Sequence, residues 1–314
     1  MKTIRNYITL AGIFLAAGIG LAQDDTNDEP AQQQSNIQQY TPSKLIGKGQ
    51  WDVKWFNNLY TQTRVANADG DVTKNQLRAS FLTSTFEVYT GVGRNNRVNL
   101  GVIARVRSNV ISSQNDERGA LEVFSFRQED GFSRMGLTAI APSVKFVPFP
   151  SVSNFSIQSS VFIPIVDGET VNGVFLEQDG YVWQNRFFYD YTFTGGKWQL
   201  FSELTTELNL GEERSFNANL DTVSGSFANN SLNINPGVFL SYFPSANFTV
   251  LGLVQHSSRV NLGNDFTQNF TAVGGGAKFQ LSDALNLELL YTNFVRGNAT
   301  GLGQTFNLGL RGIF

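Results

Sequence analysis

The sequence predicts an all-β protein whose antiparallel strands run up and down in chain order and close into a transmembrane barrel. Apolar and polar residues alternate along many segments, as in 305–313, where Phe306, Leu308 and Leu310 share one face. After residue 22 no apolar run approaches the ~18 residues of a membrane helix. Only 16% of residues are charged, whereas Phe counts 27 and Gly 30. Low charge with apolar residues on every second position is typical of a membrane barrel.

The first 22 residues have the features of a secretory signal peptide. Lys2 and Arg5 precede an apolar run, and small residues precede Ala22. At about 14 residues the run is short for a membrane anchor, so we expect cleavage after Ala22 and export through the periplasm. Residues 23–49, rich in acidic residues and glutamine, predict a flexible periplasmic leader, and residues 50–314 predict the barrel.

Strand-like segments separated by turn residues repeat from residue 50 to the end of the chain. The connections between them alternate between long and short. Outer-membrane barrels have long extracellular loops and short periplasmic turns, so we expect both ends of the barrel domain on the periplasmic side. We place twelve strands at 50–63, 76–90, 97–112, 133–147, 154–166, 181–194, 197–210, 231–243, 247–259, 268–281, 285–296 and 304–314.

Aromatic residues concentrate near the ends of the predicted strands. Tryptophan and tyrosine favour the membrane–water interface because each has an apolar body and a polar edge. We therefore assign Tyr89 and Trp198 to the periplasmic interface. Tyr60, Tyr181 and Trp183 are assigned to the outer rim.

The last residues of the chain resemble the insertion signal of Gram-negative outer-membrane barrels. Asn307, Gly309 and Phe314 match its polar, glycine and terminal aromatic positions, whereas Gly312 stands where a hydrophobic residue is usual. Segments such as 136–138 loosely resemble porin-like transporter barrels of Bacteroidota and proteobacteria, some of which accompany the degradation of aromatic compounds. These resemblances imply that the protein is located in the cell outer membrane, in contact with its lipids and lipopolysaccharide. They also imply that the barrel-assembly machinery is its partner during insertion.

Strand parity assigns many charged residues to the lumen, because Lys or Arg on the lipid face costs about 2–4 kcal/mol at mid-membrane. Rows of mixed charge favour a porin-like channel for small hydrophilic or weakly amphipathic solutes. Alternatively the charges pair and plug the barrel, since twelve strands lie between filled and open barrels. A plugged barrel would be a scaffold or receptor using loops 113–132 and 211–230. The predicted lumen-lining residues are Arg105, Arg107, Lys145, Arg186, Asp190, Glu203, Glu207, Lys278, Glu288 and Arg311.

A further alternative is an outer-membrane lipid hydrolase. His256, the one histidine of the chain, shares a lipid-facing row with Ser258, and Asn269 is expected opposite Ser258 on the next strand. The arrangement resembles the sites of outer-membrane phospholipase A and lipid A deacylase, in which histidine takes the serine proton. Arg259 follows the serine where those families have asparagine, so we favour a function that is not enzymatic.

We expect no cofactor, no metal and no nucleic-acid partner. Cysteine is absent, which leaves only oxygen ligands for a metal beside the one histidine. Four acidic residues of one long loop are candidate calcium ligands, although loop acidity usually reflects solvation. They are Asp116, Glu117, Glu129 and Asp130. The chain contains no basic cluster of the kind that binds nucleic acid.

Overall fold

The predicted all-β fold is confirmed: twelve antiparallel strands close into one barrel. The computed structural model describes residues 42–93, 95–126, 131–166, 168–218, 221–263 and 266–314. The expected signal peptide and most of the expected leader lie outside these residues. Among the described residues, no helix has the length and apolarity needed to cross a bilayer.

Each strand pairs with its neighbours in the chain, and the last strand pairs with the first. Alternation of apolar and polar residues gives every strand one outward and one inward row, which is the pattern that a closed sheet requires. The strands are β1 (Trp51–Gln62), β2 (Ala79–Val92), β3 (Val98–Ile111), β4 (Ser133–Phe146), β5 (Phe155–Pro164), β6 (Tyr181–Thr192), β7 (Trp198–Leu210), β8 (Ser231–Ser245), β9 (Phe248–Asn261), β10 (Gln268–Ser282), β11 (Leu285–Asn298) and β12 (Gln304–Ile313).

The two ends of the barrel differ in their connections. We call the end with short connections and Phe314 the turn end, and the opposite end the loop end. The connections at the turn end are 93–97, 147–154, 193–197, 246–247 and 283–284. Those at the loop end are 63–78, 112–132, 165–180, 211–230, 262–267 and 299–303.

Strands β1 and β12 close the barrel in an unbroken register from Asp52 opposite Ile313 to Thr61 opposite Gln304. At the turn end, the backbones of Trp51 and Phe314 donate hydrogen bonds to each other, each 2.9 Å long. The chain therefore closes its own sheet edge, which removes the unpaired backbone groups that an open sheet would expose.

The outward rows carry the large exposed apolar side chains, including Trp183 and Trp198 as predicted. Two of the interface assignments are wrong. Tyr89 is 1% exposed and shares the inward row of Glu87, where its hydroxyl lies 2.7 Å from that of Ser143. Tyr60 lines the lumen. A position near a strand end fixes the depth of a side chain, but parity decides which face it occupies.

Part of loop 112–132 lies against the outside of the barrel. Its short 3-10 helix, Ala120–Ser125, contacts β2 and β3. The Ser108 hydroxyl, on the outward row of β3, donates a 2.7 Å hydrogen bond to the carbonyl of Val123. This cover explains why some outward-facing residues near the loop end are buried. The apolar cluster beneath it consists of Leu59, Leu82, Val110 and Val123.

Candidate functional site

The barrel encloses a cavity of about 910 Å³. Arg311 and Lys145 line it near the turn end, and Gln268 and Thr300 line it at the loop end. The cavity therefore runs along the lumen between the two ends of the barrel.

The charged residues that parity assigned to the lumen all lie on inward rows, and most of them pair with opposite charges. Lys54 reaches Glu87 at 3.0 Å, and Arg186 lies 3.6 Å from Glu87 and 2.8 Å from Glu203. These four residues form a charge ladder of alternating sign across β1, β2, β6 and β7. Because β2 and β6 lie four strands apart in the ring, the contact between Arg186 and Glu87 takes the ladder across part of the lumen.

Other inward charges pair closer to the two ends. The Arg311 guanidinium donates two hydrogen bonds, 2.8 and 2.7 Å long, to the carboxylate of Asp52 in a bidentate arrangement. Lys278 lies 2.5 Å from Glu288 on the next strand. Glu207 accepts hydrogen bonds from two amide side chains, Gln184 at 2.9 Å and Asn233 at 2.8 Å.

Loop 165–180 folds into the loop end of the lumen, which the sequence analysis did not predict. Its Glu177 lies 3.2 Å from Arg105 and 3.3 Å from Arg107. Burial opposes ionisation of Glu177, but Arg107 and Arg105 outweigh it and hold the pKa of this carboxyl below its ordinary value. The loop thus narrows the lumen next to two inward arginines. The signal in the sequence is the apolar run 174–176 inside an otherwise polar loop.

Loop 165–180 is also fixed to loop 211–230. Glu169 is fully buried, accepts a 3.1 Å hydrogen bond from the Phe227 backbone and lies 3.5 Å from Arg214. Burial raises the pKa of Glu169 above its ordinary value. Phe175 packs edge-on against Phe227 at 5.7 Å. The two loops therefore form one packed unit over part of the loop end.

Aromatic side chains in the lumen were missed by the sequence analysis. Phe201 lies 6.1 Å from Phe188 and 5.5 Å from Phe239, measured between ring centres, on the inward rows of β6–β8. A second cluster joins Tyr60 to Phe294 at 5.0 Å on the opposite part of the wall. All five residues line the cavity. The lumen therefore offers apolar surface beside its charge ladder.

The last residues of the predicted flexible leader are bound within the turn end of the barrel. Ser43 is fully buried and donates a hydrogen bond to Asp190. The Lys44 ammonium lies 3.5 Å from the same carboxylate. The Lys145 ammonium donates hydrogen bonds to the carbonyls of Pro42 and Lys44. The composition of this segment suggests solvation, but its contacts are with inward charges of distant strands.

The hydrolase candidate lies on the outer wall. His256 and Ser258 share the outward row of β9, and Ser258 stands opposite Asn269 on β10 in the sheet register. The His256 Nδ1 atom lies 3.0 Å from the Thr271 hydroxyl, so the imidazole ring forms a hydrogen bond with Thr271 on the neighbouring strand. The structure thus brings Ser258 beside Asn269 and gives the histidine a different hydroxyl partner.

The acidic residues of loop 112–132 do not gather into a metal site among the described residues. Asp116 pairs with Arg118 at 2.6 Å, and Glu129 and Asp130 lie outside the described residues.

Within the predicted insertion signal, the side chain of Asn307 points inward and accepts a 2.5 Å hydrogen bond from Asn58. Gly309 also belongs to the lumen wall, and Phe314 is exposed at the turn end.

The fold is that of Gram-negative outer-membrane β-barrels. An outer-membrane channel from Pseudomonas putida F1 superposes with a TM-score of 0.64 at 10% identity, covering 87% of this chain and 98% of the channel. The β domain of the Bordetella autotransporter BrkA superposes with a TM-score of 0.56 at 13% identity, covering 84% of this chain and 99% of that domain. No protein-family model matches the sequence, and no curated protein matches it either.

Proposed function

We propose that this chain is an outer-membrane channel that lets small hydrophilic or weakly amphipathic solutes diffuse passively across the membrane. The observation that carries this proposal is the cavity of about 910 Å³, whose lining runs from Arg311 at one end of the barrel to Gln268 at the other. A filled barrel with a structural role has no need of such a space. The channel from P. putida F1, which shares the fold, is consistent with this function.

The size and lining of the cavity indicate the solutes. Spread over the ~25 Å apolar height of a membrane barrel, about 910 Å³ corresponds to an average width of roughly 7 to 10 Å. Paired charges such as Arg186 and Glu203 offer hydrogen bonds without a strong field of one sign, and rings such as Phe201 offer apolar contact. This combination suits molecules of about one small ring that carry both polar and apolar groups.

Residence in the outer membrane follows from the outward rows. Trp183, Trp198 and Phe306 are each nearly half exposed although they are large and apolar, and hydrocarbon is the solvent that favours them. We propose that the chain is exported, cleaved after Ala22 and inserted by the barrel-assembly machinery, with the turn end in the periplasm and the loop end outside. Fractionation of cells that express the chain would test this, since the proposal requires the processed protein among outer-membrane lipids and lipopolysaccharide.

The channel function is tested with purified full-length mature protein in planar lipid bilayers. We expect discrete conductance steps that decrease when small sugars enter the pore and keep their height with polymers too large to enter it. Protein unfolded by heat is the matched control and gives no steps. Correctly folded barrels that never conduct, across several lipid compositions, would refute the channel and favour the scaffold alternative.

A further inference from the structure

We propose that residues 42–47 form the constriction that sets the size limit for solutes at the turn end. We call these residues the mouth segment. The proposal rests on the channel function proposed above and adds the element that decides which solutes pass.

The mouth segment enters the barrel where β2 ends. The Gly49 backbone donates a 3.2 Å hydrogen bond to the Gly91 carbonyl, and the Lys48 backbone bridges to Gly91 in parallel. A Cβ atom on Gly91 would stand 1.9 Å from the carbonyl oxygen of Gly47, closer than any real contact. Only glycine at position 91 therefore lets the chain pass this close to the wall.

At its other end the mouth segment is held by two buried charges. Lys145 on β4 is 3% exposed, and among the described residues it has no carboxylate within 4.0 Å. It donates instead to the carbonyls of Pro42 and Lys44, the latter at 3.1 Å. A buried ammonium without acceptors is costly, so these carbonyls are part of what makes Lys145 tolerable there.

Asp190 on β6 is also 3% exposed and holds the mouth segment through Ser43 and Lys44. β6 is five strands from β1 in either chain order or sheet order, close to the opposite side of a ring of twelve. The segment therefore crosses the turn end from one wall towards the other.

The mouth segment also takes part in the passage itself. Pro42 lines the lumen cavity, and Ile46 is buried against the barrel. A tether that only joined a leader to β1 would need neither a buried lysine nor a buried aspartate on distant strands. Solutes that leave the cavity at the turn end must pass beside this segment.

The test compares full-length mature protein with a variant that lacks residues 42–47, in planar bilayers with neutral polymers of graded size. We expect the conductance to rise about twofold or more, and the largest polymer that enters the pore to be larger. Lys145→Met, which removes the donors that hold Pro42 and Lys44, is expected to shift both quantities the same way. Lys145→Arg, which keeps donors, is expected to stay closer to wild type.

Lys197→Met is the matched control, because Lys197 is an exposed lysine of the turn 193–197 at the same end of the barrel. It removes the same charge without touching the mouth segment. Its polymer limit is expected to stay unchanged. Lys145→Met combined with the deletion is expected to add nothing beyond the deletion alone, since both act through the segment.

A second measurement does not depend on how well the deletion variant folds. The chain has no cysteine, so a single Lys44→Cys can be labelled with a charged thiol reagent. Labelling is expected to block most of the current, whereas labelling Lys48→Cys, which is exposed, is expected to change it little.

The possible outcomes separate the two proposals. A wild-type protein that conducts, with an unchanged polymer limit after deletion and no block at Lys44→Cys, overturns the constriction and leaves the channel intact. If the wild-type protein and the deletion variant both fold and neither conducts, the channel is overturned and the constriction with it. A silent wild type and a conducting deletion variant overturn both proposals, because residues 42–47 would then close the barrel instead of setting a size limit.

Discussion

The strongest stability prediction concerns the ion pair that joins the first and last strands. Asp52 on β1 accepts two hydrogen bonds from Arg311 on β12, and their side chains are only 6% and 11% exposed. Replacing Asp52 by alanine leaves the Arg311 guanidinium buried without its carboxylate. We expect this substitution to destabilise the folded barrel by about 3–5 kcal/mol, the usual cost of an uncompensated buried charge.

A matched control comes from the same lumen. Lys278 and Glu288 also pair across adjacent strands, at 2.5 Å, but both side chains are 22% exposed. Water in the cavity can solvate whichever charge remains, so Glu288→Ala is expected to cost about 0.2–1 kcal/mol. Each variant removes one carboxylate from an inward pair, and Lys54, which lies 3.7 Å from Asp52, keeps Glu87 as a partner at 3.0 Å.

The assay is reversible urea unfolding in lipid vesicles, followed by Trp fluorescence and by the migration of folded and unfolded forms on gels. A double variant, Asp52→Leu with Arg311→Met, removes both charges and is expected to recover most of the loss. Equal costs for Asp52→Ala and Glu288→Ala would refute the argument from burial. A double variant as unstable as Asp52→Ala alone would show that Arg311 is not the source of the penalty.

Three further predictions follow from single contacts. Glu177 has a depressed pKa, so its hold on Arg105 and Arg107 is complete at neutral pH and is lost as pH falls through that pKa, below the ordinary glutamate range. Conductance is expected to change in that acid window, and Glu177→Gln is expected to remove the pH step. Ser84→Ala leaves the Trp55 indole N–H, now bonded at 2.8 Å, without a partner and is expected to cost about 1–3 kcal/mol in urea unfolding. Ser258→Ala is expected to leave conductance unchanged, and wild-type protein is expected to release no fatty acid from phospholipid; release that this variant abolishes would establish the hydrolase instead.

Strand positions and the inward rows were predictable because a barrel strand repeats its environment every two residues. A charge such as Arg186 between Phe187 and Asn185 can escape hydrocarbon only by pointing inward, and the period carries that choice along the whole strand. The twelve-strand count follows from the same local pattern. No distant contact was needed to derive it.

The segments that leave the strands were not predictable in this way. Loop 165–180 enters the lumen because Glu177 finds Arg105 and Arg107 on β3, far away in sequence. The mouth segment depends in the same way on Lys145 and Asp190. Polarity within these segments suggests solvent on every side, since the sequence alone does not show which buried charges will reach them.

The inward phenylalanines were missed for a different reason. Inward rows were identified by their charges, and residues such as Phe201 share those rows with Glu203 and Gln199. Parity applied to every residue, rather than to charged ones alone, would have found them. The same rule would have placed Tyr89 beside Glu87 in the lumen.

The path of the mouth segment has a mechanical consequence. Strands in a ring are joined only edge to edge, so a barrel of this size can flatten into an oval with little change in its hydrogen bonds. A chain that starts at β1 and is clamped by Lys145 and Asp190 acts as a spoke across the rim. The mouth segment keeps the cross-section round at that end. Without it, the barrel wall would fluctuate more in shape.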